Sequence, residues 1–359
     1  MRNRYSRYGT ALAALLLVLC LFPACGREPV VKTVLVMDTV AQLTARDGEA
    51  AAAVDEGIER LQYLDACAGT GTEGDAARLA AAAGDGTWVD ITPEVYEMLK
   101  VARDWAARTD GAFDVTTGPL VALWGIGTDH ARVPDAVEIE DARSRVGWQD
   151  LELAPDAPRA RLKRPGMSID LGGIAKGYAL DDVRAIFERH GVKDGMISLG
   201  GSSLCVLGKN EHGEDWRIGI RQPRGETAQD YLAVLPLTDA ALSSSGDYER
   251  YFEQDGRRYH HILDPHTGAP AASGLYGVTV VVRGAHAGMT GDLLTTALFV
   301  LGEEKGRALL EGTGTDADVL FVAPDPARPG ACLLSAFFPD GAPPLPERLQ
   351  KQAGNVHWE

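Results

Sequence analysis

Residues 167–181 combine a glycine pair with a lysine at the start of a predicted helix. Gly172 and Gly173 interrupt a short strand pattern, and Lys176 follows in the first helical turn. Such a turn lets the backbone approach a ligand closely, and the amides and dipole at the start of the helix suit an anion such as pyrophosphate. The segment matches neither the three-glycine nucleotide fingerprint nor the Walker pattern, so a purely structural turn explains it equally well.

A second segment places three oxygen-bearing side chains on one face of a predicted helix. Asp292, Thr295 and Thr296 stand at positions i, i+3 and i+4, which are neighbours on a helix surface. One carboxylate with hydroxyl and carbonyl oxygens suits Mg²⁺, which keeps positions open for phosphate oxygens. The structural alternative is a helix N-terminus where Asp292 only complements the dipole, and the spacing alone favours that alternative.

A third segment carries two adjacent histidines at the end of a predicted hairpin. His260 and His261 precede a turn that is indicated by Asp264 and Pro265. Adjacent strand residues point to opposite faces, so at most one imidazole faces a given site. A lone histidine is more often packed or solvated, yet His261 beside this turn is a candidate general base or ring-stacking group.

A fourth segment, residues 113–127, ends in an aromatic residue and alternating glycines. Trp124 is followed by Gly125, Ile126 and Gly127. An aromatic ring beside an exposed backbone could hold a flat ligand. Core packing is the favoured interpretation of the Trp124 ring itself.

The elements that must position these segments indicate an α+β, or mixed α/β, fold. Polar and apolar residues alternate at 33–44, which predicts a strand, and a helical pattern follows at 49–63. Thr92 caps a helix that begins with Pro93 and ends near Gly111. The other predicted elements are strands at 204–207, 216–220, 232–235, 278–282 and 319–322, helices at 290–301 and 303–310, and a hairpin of 251–254 with 257–261 around Asp255 and Gly256. Strands and helices mix without a regular βαβ rhythm.

The composition is that of a globular protein with an acidic surface. Of the 359 residues, 45% are hydrophobic and 24% are charged, so the chain can bury a sizeable core. The formal net charge of −16 repels polyphosphate backbones, which excludes nucleic acid as an expected partner. Cys67, Cys205 and Cys332 lack the spacing of a zinc site or a disulfide framework, and a pair among them stays open.

The first residues have the pattern of an export signal. Arginines near the N-terminus precede an apolar run at 11–21, which is too short to span a bilayer and ends close to Cys25. We predict a lipoprotein-type signal peptide at residues 1–24 with Cys25 as the lipidated first residue. Simple secretion by a signal peptidase is the alternative. Lipid on Cys25 implies anchoring at the periplasmic face of the cell membrane. The sequence leaves open whether this is the inner or the outer membrane.

Six motifs in this order resemble the ApbE family of FAD:protein FMN transferases from Met37 to about Gly302. They are Met37-Asp38-Thr39 and residues 114–127, 170–181, 244–252, 261–268 and 292–302. The resemblance implies one domain at residues 25–359 with a T-fold-like α+β architecture, in which mixed sheets and packed helices form two lobes around an FAD cleft. The family usually has glycine where Asp38 stands, and residues 62–84 depart from its pattern, so we assign no site residues there.

The resemblance also implies roles for individual residues. The residues implied to contact FAD are Met37, the backbone of Trp124, Gly125 and Ile126, and Asp170, Lys176, His261 and Leu263. The residues implied to bind Mg²⁺ are Gly173 through its carbonyl, Asp292, Thr296, and Thr295 through its hydroxyl or its backbone. His261 is the first candidate for the catalytic base and Asp292 is the second.

The function implied by the resemblance is Mg²⁺-dependent transfer of FMN from FAD to a threonine of a partner flavoprotein, with release of AMP. In the family the acceptor threonine lies in an Asp-Gly-x-Thr-like segment of redox-driven membrane pumps and related flavoproteins. This chain has no such segment, because Asp110-Gly111 and Asp194-Gly195 both lead into unrelated residues, so we expect the acceptor in trans. The alternatives are an FAD pyrophosphatase that yields FMN and AMP, and a non-catalytic periplasmic flavin-binding lipoprotein.

Overall fold

A computed structural model describes residues 28–69, 74–227, 230–328, 330–339, 350–351 and 356–358. The predicted signal peptide at residues 1–24 and the predicted lipid-bearing Cys25 lie outside the described residues. The strands in chain order are β1 (Val30–Val36), β2 (Thr39–Arg46), β3 (Val89–Asp90), β4 (Leu151–Leu153), β5 (Arg159–Leu162), β6 (Asp194–Leu199), β7 (Ser203–Leu207), β8 (Trp216–Arg221), β9 (Tyr231–Leu237), β10 (Ala240–Gly246), β11 (Tyr251–Gln254), β12 (Arg257–His260), β13 (Leu263–Asp264), β14 (Ala269–Pro270), β15 (Gly277–Arg283), β16 (Ala317–Pro324), β17 (Cys332–Phe337), β18 (Gln350–Lys351) and β19 (Val356–Trp358). The helices are α1 (Ala50–Ala68), α2 (Asp75–Ala81), α3 (Pro93–Arg108), α4 (Gly118–Trp124), α5 (Ala136–Arg143), α6 (Ala175–Arg189) and α7 (Ala287–Thr313).

One large sheet contains nine of the described strands, in the order β1-β2-β6-β7-β10-β15-β16-β17-β19. Neighbouring strands pair antiparallel, except that β17 and β19 are parallel. All five residues of β7 are buried. A strand of this kind has both faces covered, which explains why its sequence is apolar without strict alternation.

The two faces of the sheet pack against different layers. Helices α1, α6 and α7 cover one face, where Cys205 and Leu207 of β7 join the main core. Leu204 and Val206 point to the opposite face and form a second core with residues of β8 and β9. A separate cluster of Leu120, Trp124, Ala142 and Leu263 joins α4 and α5 to β13. The fold is therefore the predicted mixture of sheets and packed helices.

Helices α6 and α7 cross at a pair of glycines. A Cβ atom on Gly177 would lie 2.3 Å from the carbonyl oxygen of Gly288, and a Cβ on Gly288 would lie 2.4 Å from the carbonyl oxygen of Gly177. Such distances leave no room for a side chain at either position, because the opposing atoms belong to the backbone and cannot rotate away.

Each of these helices also caps the N-terminus of the other. Asp181 in α6 accepts hydrogen bonds from the amides of Gly288 and Met289 at 2.8 and 2.9 Å. Asp292 in α7 accepts a hydrogen bond from the amide of Gly177 at 3.0 Å. These amides belong to first helical turns, which lack partners within their own helix. Burial raises the pKa of Asp181, and the two amide hydrogen bonds oppose that effect.

The start of the chain differs from the sequence prediction. A single strand at 33–44 is wrong, because β1 ends at Val36 and β2 begins at Thr39. Met37 and Asp38 form the turn between them, with φ angles of 53° and 54°. Positive φ at both central residues is the type I′ geometry, which usually requires glycine or asparagine. The alternation of apolar and polar residues continues across the turn, so the sequence pattern does not reveal it.

The short strand predicted before Gly172 is wrong, because Asp170 instead bonds the Val115 carbonyl and the Gly172 amide, and only an isolated bridge forms there. The other predicted elements are confirmed within about five residues. The amide of Val95 donates to the Thr92 side chain at 3.4 Å, as expected for the N-cap of α3. Asp255 and Gly256 have φ angles of 53° and 72° in the predicted hairpin turn. The two helices predicted at 290–301 and 303–310 are the two parts of α7, which breaks at Gly302, where φ is 77°.

The cysteines and the helices add two observations. Cys67, Cys205 and Cys332 are buried free thiols, so no disulfide joins them. None of the helices in the described ranges is both long and apolar enough to cross a membrane.

We predict that Gly177→Ala destabilises the protein by roughly 3 kcal/mol, because the new methyl group meets the Gly288 backbone. Gly312→Ala is the matched control, since that glycine also lies in a helix and a Cβ atom placed on it would have no neighbour within 4 Å. The control should be neutral or stabilising by up to about 1 kcal/mol. Urea unfolding of both variants measures the difference, and equal midpoints for the two would contradict the glycine crossing.

Candidate active site

Asp292 lies at the centre of the candidate site and is held from two sides. Its side chain is only 5% exposed. One carboxylate oxygen accepts the hydrogen bond from the Gly177 amide at 3.0 Å, and the other accepts one from the Ser203 hydroxyl at 3.2 Å. Each oxygen keeps a further lone pair. The carboxylate is thus fixed in direction and still able to bind a cation.

The two threonines of the same helix have different surroundings. The Thr295 hydroxyl is buried, donates to the Asp292 carbonyl at 2.7 Å and accepts from the Ser245 hydroxyl at 2.9 Å. The Thr296 hydroxyl oxygen lies 3.2 Å from the position that a Cβ on Gly173 would occupy. Thr296 is half-buried, and no hydrogen bond of its hydroxyl occurs among the described residues. The structure therefore brings Gly173 next to Thr296, one helical turn after Asp292, whereas the Thr295 hydroxyl is already used.

The loop before α6 is organised by its own side chains. Asp170 accepts a hydrogen bond from the Gly172 amide at 2.8 Å, and its own amide donates to the Val115 carbonyl at 2.7 Å. The Lys176 ammonium donates to the Gly172 carbonyl at 3.3 Å. No carboxylate pairs with Lys176 in the part of the chain that the structure describes. Its positive charge is therefore available at the open side of the loop.

His261 is oriented by the main chain of Arg250. The backbone amide of His261 donates to the Arg250 carbonyl at 3.0 Å, and ring atom Nδ1 lies 3.2 Å from the same oxygen. Only a protonated Nδ1 can donate to a carbonyl, so this geometry assigns the proton to Nδ1 and leaves Nε2 as an acceptor. The neighbouring His260 points to the other side and packs edge-on against Phe299. The prediction that at most one of the histidines faces the site is consistent with this arrangement.

The imidazole of His261 is kept neutral by its surroundings. Burial is the largest cause, and the positive charge of Arg250 follows, with smaller contributions from His260 and Lys176. The hydrogen bond to the Arg250 carbonyl opposes them, and together these effects lower the pKa of His261 to about 3. Burial also lowers the pKa of His260.

Trp124 is a core residue, as its sequence context favoured. Its side chain is 2% exposed, its indole nitrogen donates to the Gly268 carbonyl at 2.8 Å, and its ring stacks on Tyr259 at 5.7 Å. Leu263 packs in the same cluster. Gly125 follows with a φ of 57°, so the chain turns sharply there, and the partly buried Ile126 packs against the same cluster.

The Met37 turn lies at the same end of the sheet as Asp292. Thr39, which follows the turn, contacts the backbone at Gly200, and Ser203 extends from the next residues to Asp292. Met37 is half-buried against the main core. Contact of Met37 with a ligand stays a prediction.

Several residues of the site carry no signal that spacing could reveal. The hydroxyls of Ser203 and Ser245 reach α7 from 89 and 50 residues away. Asp114 is buried and accepts hydrogen bonds from Thr116 and from the Trp148 amide, which ties the segment before α4 to the segment after α5, and burial raises its pKa. The serines in residues 244–252 and Asp181 in residues 170–181 lie inside motifs that carry the family resemblance. Membership of those motifs is the sequence signal that indicates them.

Comparisons with known proteins agree on one family. The ApbE family model matches residues 37–321. The FAD:protein FMN transferase of Treponema pallidum is 34% identical over 338 residues, which cover 88% of this chain and 91% of that protein. The FAD:protein FMN transferase of Klebsiella pneumoniae is 39% identical over 234 residues, which cover 65% of this chain and 70% of that protein.

Solved structures give the same result for the fold. The crystal structure of the ApbE protein from Thermotoga maritima has a TM-score of 0.74 and 31% identity, and it covers 82% of this chain and 94% of that chain. The apo form of the Pseudomonas stutzeri flavinyl transferase ApbE has a TM-score of 0.73 and 32% identity, with 88% and 96% covered.

We predict that His261 stays neutral between about pH 8 and about pH 5, because its pKa is lowered from 6.5 to about 3. In ¹⁵N NMR spectra its ring signals should not move over this range, with His261→Gln as the assignment control. A depressed pKa means that the native state binds this proton less tightly than the unfolded chain does. Stability is therefore complete above pH 6.5 and falls as the pH drops toward 3, less so in His261→Gln. A ring that titrates near pH 6.5 would refute the assignment.

Proposed function

The chain belongs to the ApbE family, and from this premise we propose that it transfers FMN from FAD to a threonine of a partner flavoprotein, depends on Mg²⁺ and releases AMP. Relatives that cover most of the chain are named FAD:protein FMN transferases, so the chain is an enzyme of the transferase class. The observation that carries the proposal is the fixed carboxylate of Asp292, one helical turn before a Thr296 hydroxyl that adjoins Gly173.

The oxygen atoms around Asp292 fit a small divalent cation that shares its coordination with phosphate. Across the described ranges, no group of three or more His, Cys, Asp or Glu side chains could hold a metal ion by itself. Asp292, the Thr296 hydroxyl and the Gly173 carbonyl would hold Mg²⁺, and Thr295 would contribute through its main chain because its hydroxyl is used. A set with one carboxylate leaves positions for water and for phosphate oxygens, which is the usual arrangement of Mg²⁺ with nucleotides. When bound, Mg²⁺ neutralises charge on the diphosphate and polarises the phosphorus that is attacked.

The residues of the loop before α6 support binding of the diphosphate. Lys176 lies in the first turn of α6 and has no carboxylate partner among the described residues. A positive charge at a helix N-terminus suits a phosphate anion. We propose that Lys176 and Asp170 contact FAD, and that Met37, Leu263 and the turn at residues 124–126 border its rings.

His261 is the base in this proposal. The acceptor threonine attacks the FMN-side phosphorus, the new P–O bond forms, and the bond from that phosphorus to the AMP phosphate breaks. The hydroxyl proton passes to Nε2 of His261, which carries a lone pair because Nδ1 donates to the Arg250 carbonyl. A pKa of about 3 makes the free imidazole a weak base. A bound diphosphate adds negative charge nearby and raises that pKa, so the base becomes effective only when FAD is present.

The place of reaction is also a proposal. The arginine-rich start, the short apolar run and Cys25 support export and lipid anchoring at the periplasmic face of the cell membrane. The acceptor is then an exported or membrane-held flavoprotein with an Asp-Gly-x-Thr-like segment, since this chain carries no such segment of its own.

The transfer can be tested with FAD, Mg²⁺ and a peptide or domain that bears the acceptor threonine. Intact mass should show addition of FMN, and EDTA should abolish it. Asp292→Asn should slow the reaction at least about 100-fold and Thr296→Val about 10-fold. Thr290→Val, on the same helix but outside the site, is the matched control and should keep the wild-type rate. Release of AMP without an adduct would favour the pyrophosphatase, and intact bound FAD would favour a flavin carrier.

We predict that Cys25→Ser releases the protein from the membrane fraction of a bacterial host, because the lipid attachment atom is removed. Cys67→Ala keeps the anchor and serves as the control, since Cys67 is a buried free thiol of the folded domain. Immunoblots of membrane and soluble fractions measure the outcome. Membrane retention of Cys25→Ser would exclude lipid on that residue.

A further inference from the structure

Arg250 lies between two parts of the site, and the positive charge of its side chain lowers the pKa of His261. Its carbonyl accepts both hydrogen bonds that orient His261. Its side chain extends the other way, and the Cδ atom lies 3.5 Å from the position of a Cβ on Gly127. The side chain therefore runs from the base toward the turn at residues 125–127.

The charge of Arg250 is not used by the fold. Nearby Arg224 forms a bidentate pair with Asp247 at 2.8 and 2.6 Å, and Arg258 pairs with Glu253 at 3.0 Å. Arg250 is exposed and forms no ion pair with any described carboxylate, although the chain has 51 acidic and 35 basic residues. Because no described carboxylate pairs with Arg250, its guanidinium can bind an anionic ligand.

Arg250 and Lys176 approach His261 from different elements. Lys176 belongs to the first turn of α6, and Arg250 belongs to the connection between β10 and β11. Both charges act on the same imidazole and contribute to its low pKa. Two cations that form no ion pair among the described residues and act on one neutral base create a small positive region, which favours a polyanion as counter-ion.

We propose that Arg250 is a second substrate-binding cation, which binds the diphosphate of FAD together with Lys176. This inference rests on the proposed function for the identity of the ligand. A guanidinium presents parallel N–H donors that match two phosphate oxygens. The leaving AMP phosphate gains negative charge as its bond to phosphorus breaks, so a fixed cation there also assists departure.

The test compares binding of FAD with binding of riboflavin, which has the same ring system and no phosphate. Flavin fluorescence titrations in EDTA exclude turnover and any metal contribution. Arg250→Gln should weaken FAD binding about 10-fold and leave riboflavin binding unchanged. Arg250→Lys should recover part of the loss. Arg257→Gln is the matched control, because that arginine lies on the adjoining hairpin with its guanidinium over the Tyr259 ring. It should bind both ligands like the wild type.

The outcomes separate this inference from the function on which it rests. Wild-type protein that binds FAD neither in EDTA nor after Mg²⁺ is restored overturns both. Wild-type protein that binds FAD with Arg250→Gln of equal affinity overturns the role of Arg250 alone. An equal loss for FAD and riboflavin also overturns it, because the side chain would then shape the flavin side of the site. If Arg250→Gln fails to fold, Arg250→Lys replaces it. A loss of affinity for FAD but not for riboflavin then supports the role of Arg250, and equal affinity for FAD overturns it.

Discussion

The exchange of carboxylates between α6 and α7 is the constraint on which the candidate site depends. Asp181 caps one helix and Asp292 caps the other, across a crossing that only Gly177 and Gly288 permit. Because each helix terminates the unpaired amides of its partner, neither can slide or rotate without losing hydrogen bonds in buried surroundings. The loop with Gly173 and the first turns of α7 are consequently one rigid unit. A cation and a diphosphate would meet a surface whose shape is set before either binds.

The sequence predicts the secondary-structure elements better than the contacts between them. The type I′ hairpin at Asp255 and the break at Gly302 were predictable because each depends on local residue types. The Met37 turn was missed since tertiary packing holds two non-glycine residues at positive φ, a conformation that residue preferences argue against. Of the candidate site, Asp292 as a candidate Mg²⁺ ligand and His261 as a candidate base follow from residue types and spacing, and the resemblance implies the same roles.

The residues that position the site needed the folded structure. Ser203 reaches Asp292 because α7 packs on β7, and Ser245 reaches Thr295 because α7 packs on β10. No periodicity within one segment reports such long-range register. The electrostatic character of the site was hidden for a similar reason. The chain has a net charge of −16, yet positive charges without an ion pair among the described residues act on the His261 imidazole. The overall composition does not reveal this local positive region.

The break in α7 at Gly302 separates the residues of the candidate site from residues that pack against the rest of the fold. The capping amides, Asp292 and both threonines of the site precede the break, whereas Glu303 beyond it contacts Arg307 and Ser335. In a continuous helix, an inserted residue rotates everything after it by about 100°. A non-helical residue does not transmit helical phase. Changes in length beyond Gly302 therefore leave the angular position of the ligands untouched, and the second half of the helix is where evolution can lengthen or shorten this protein at little catalytic cost.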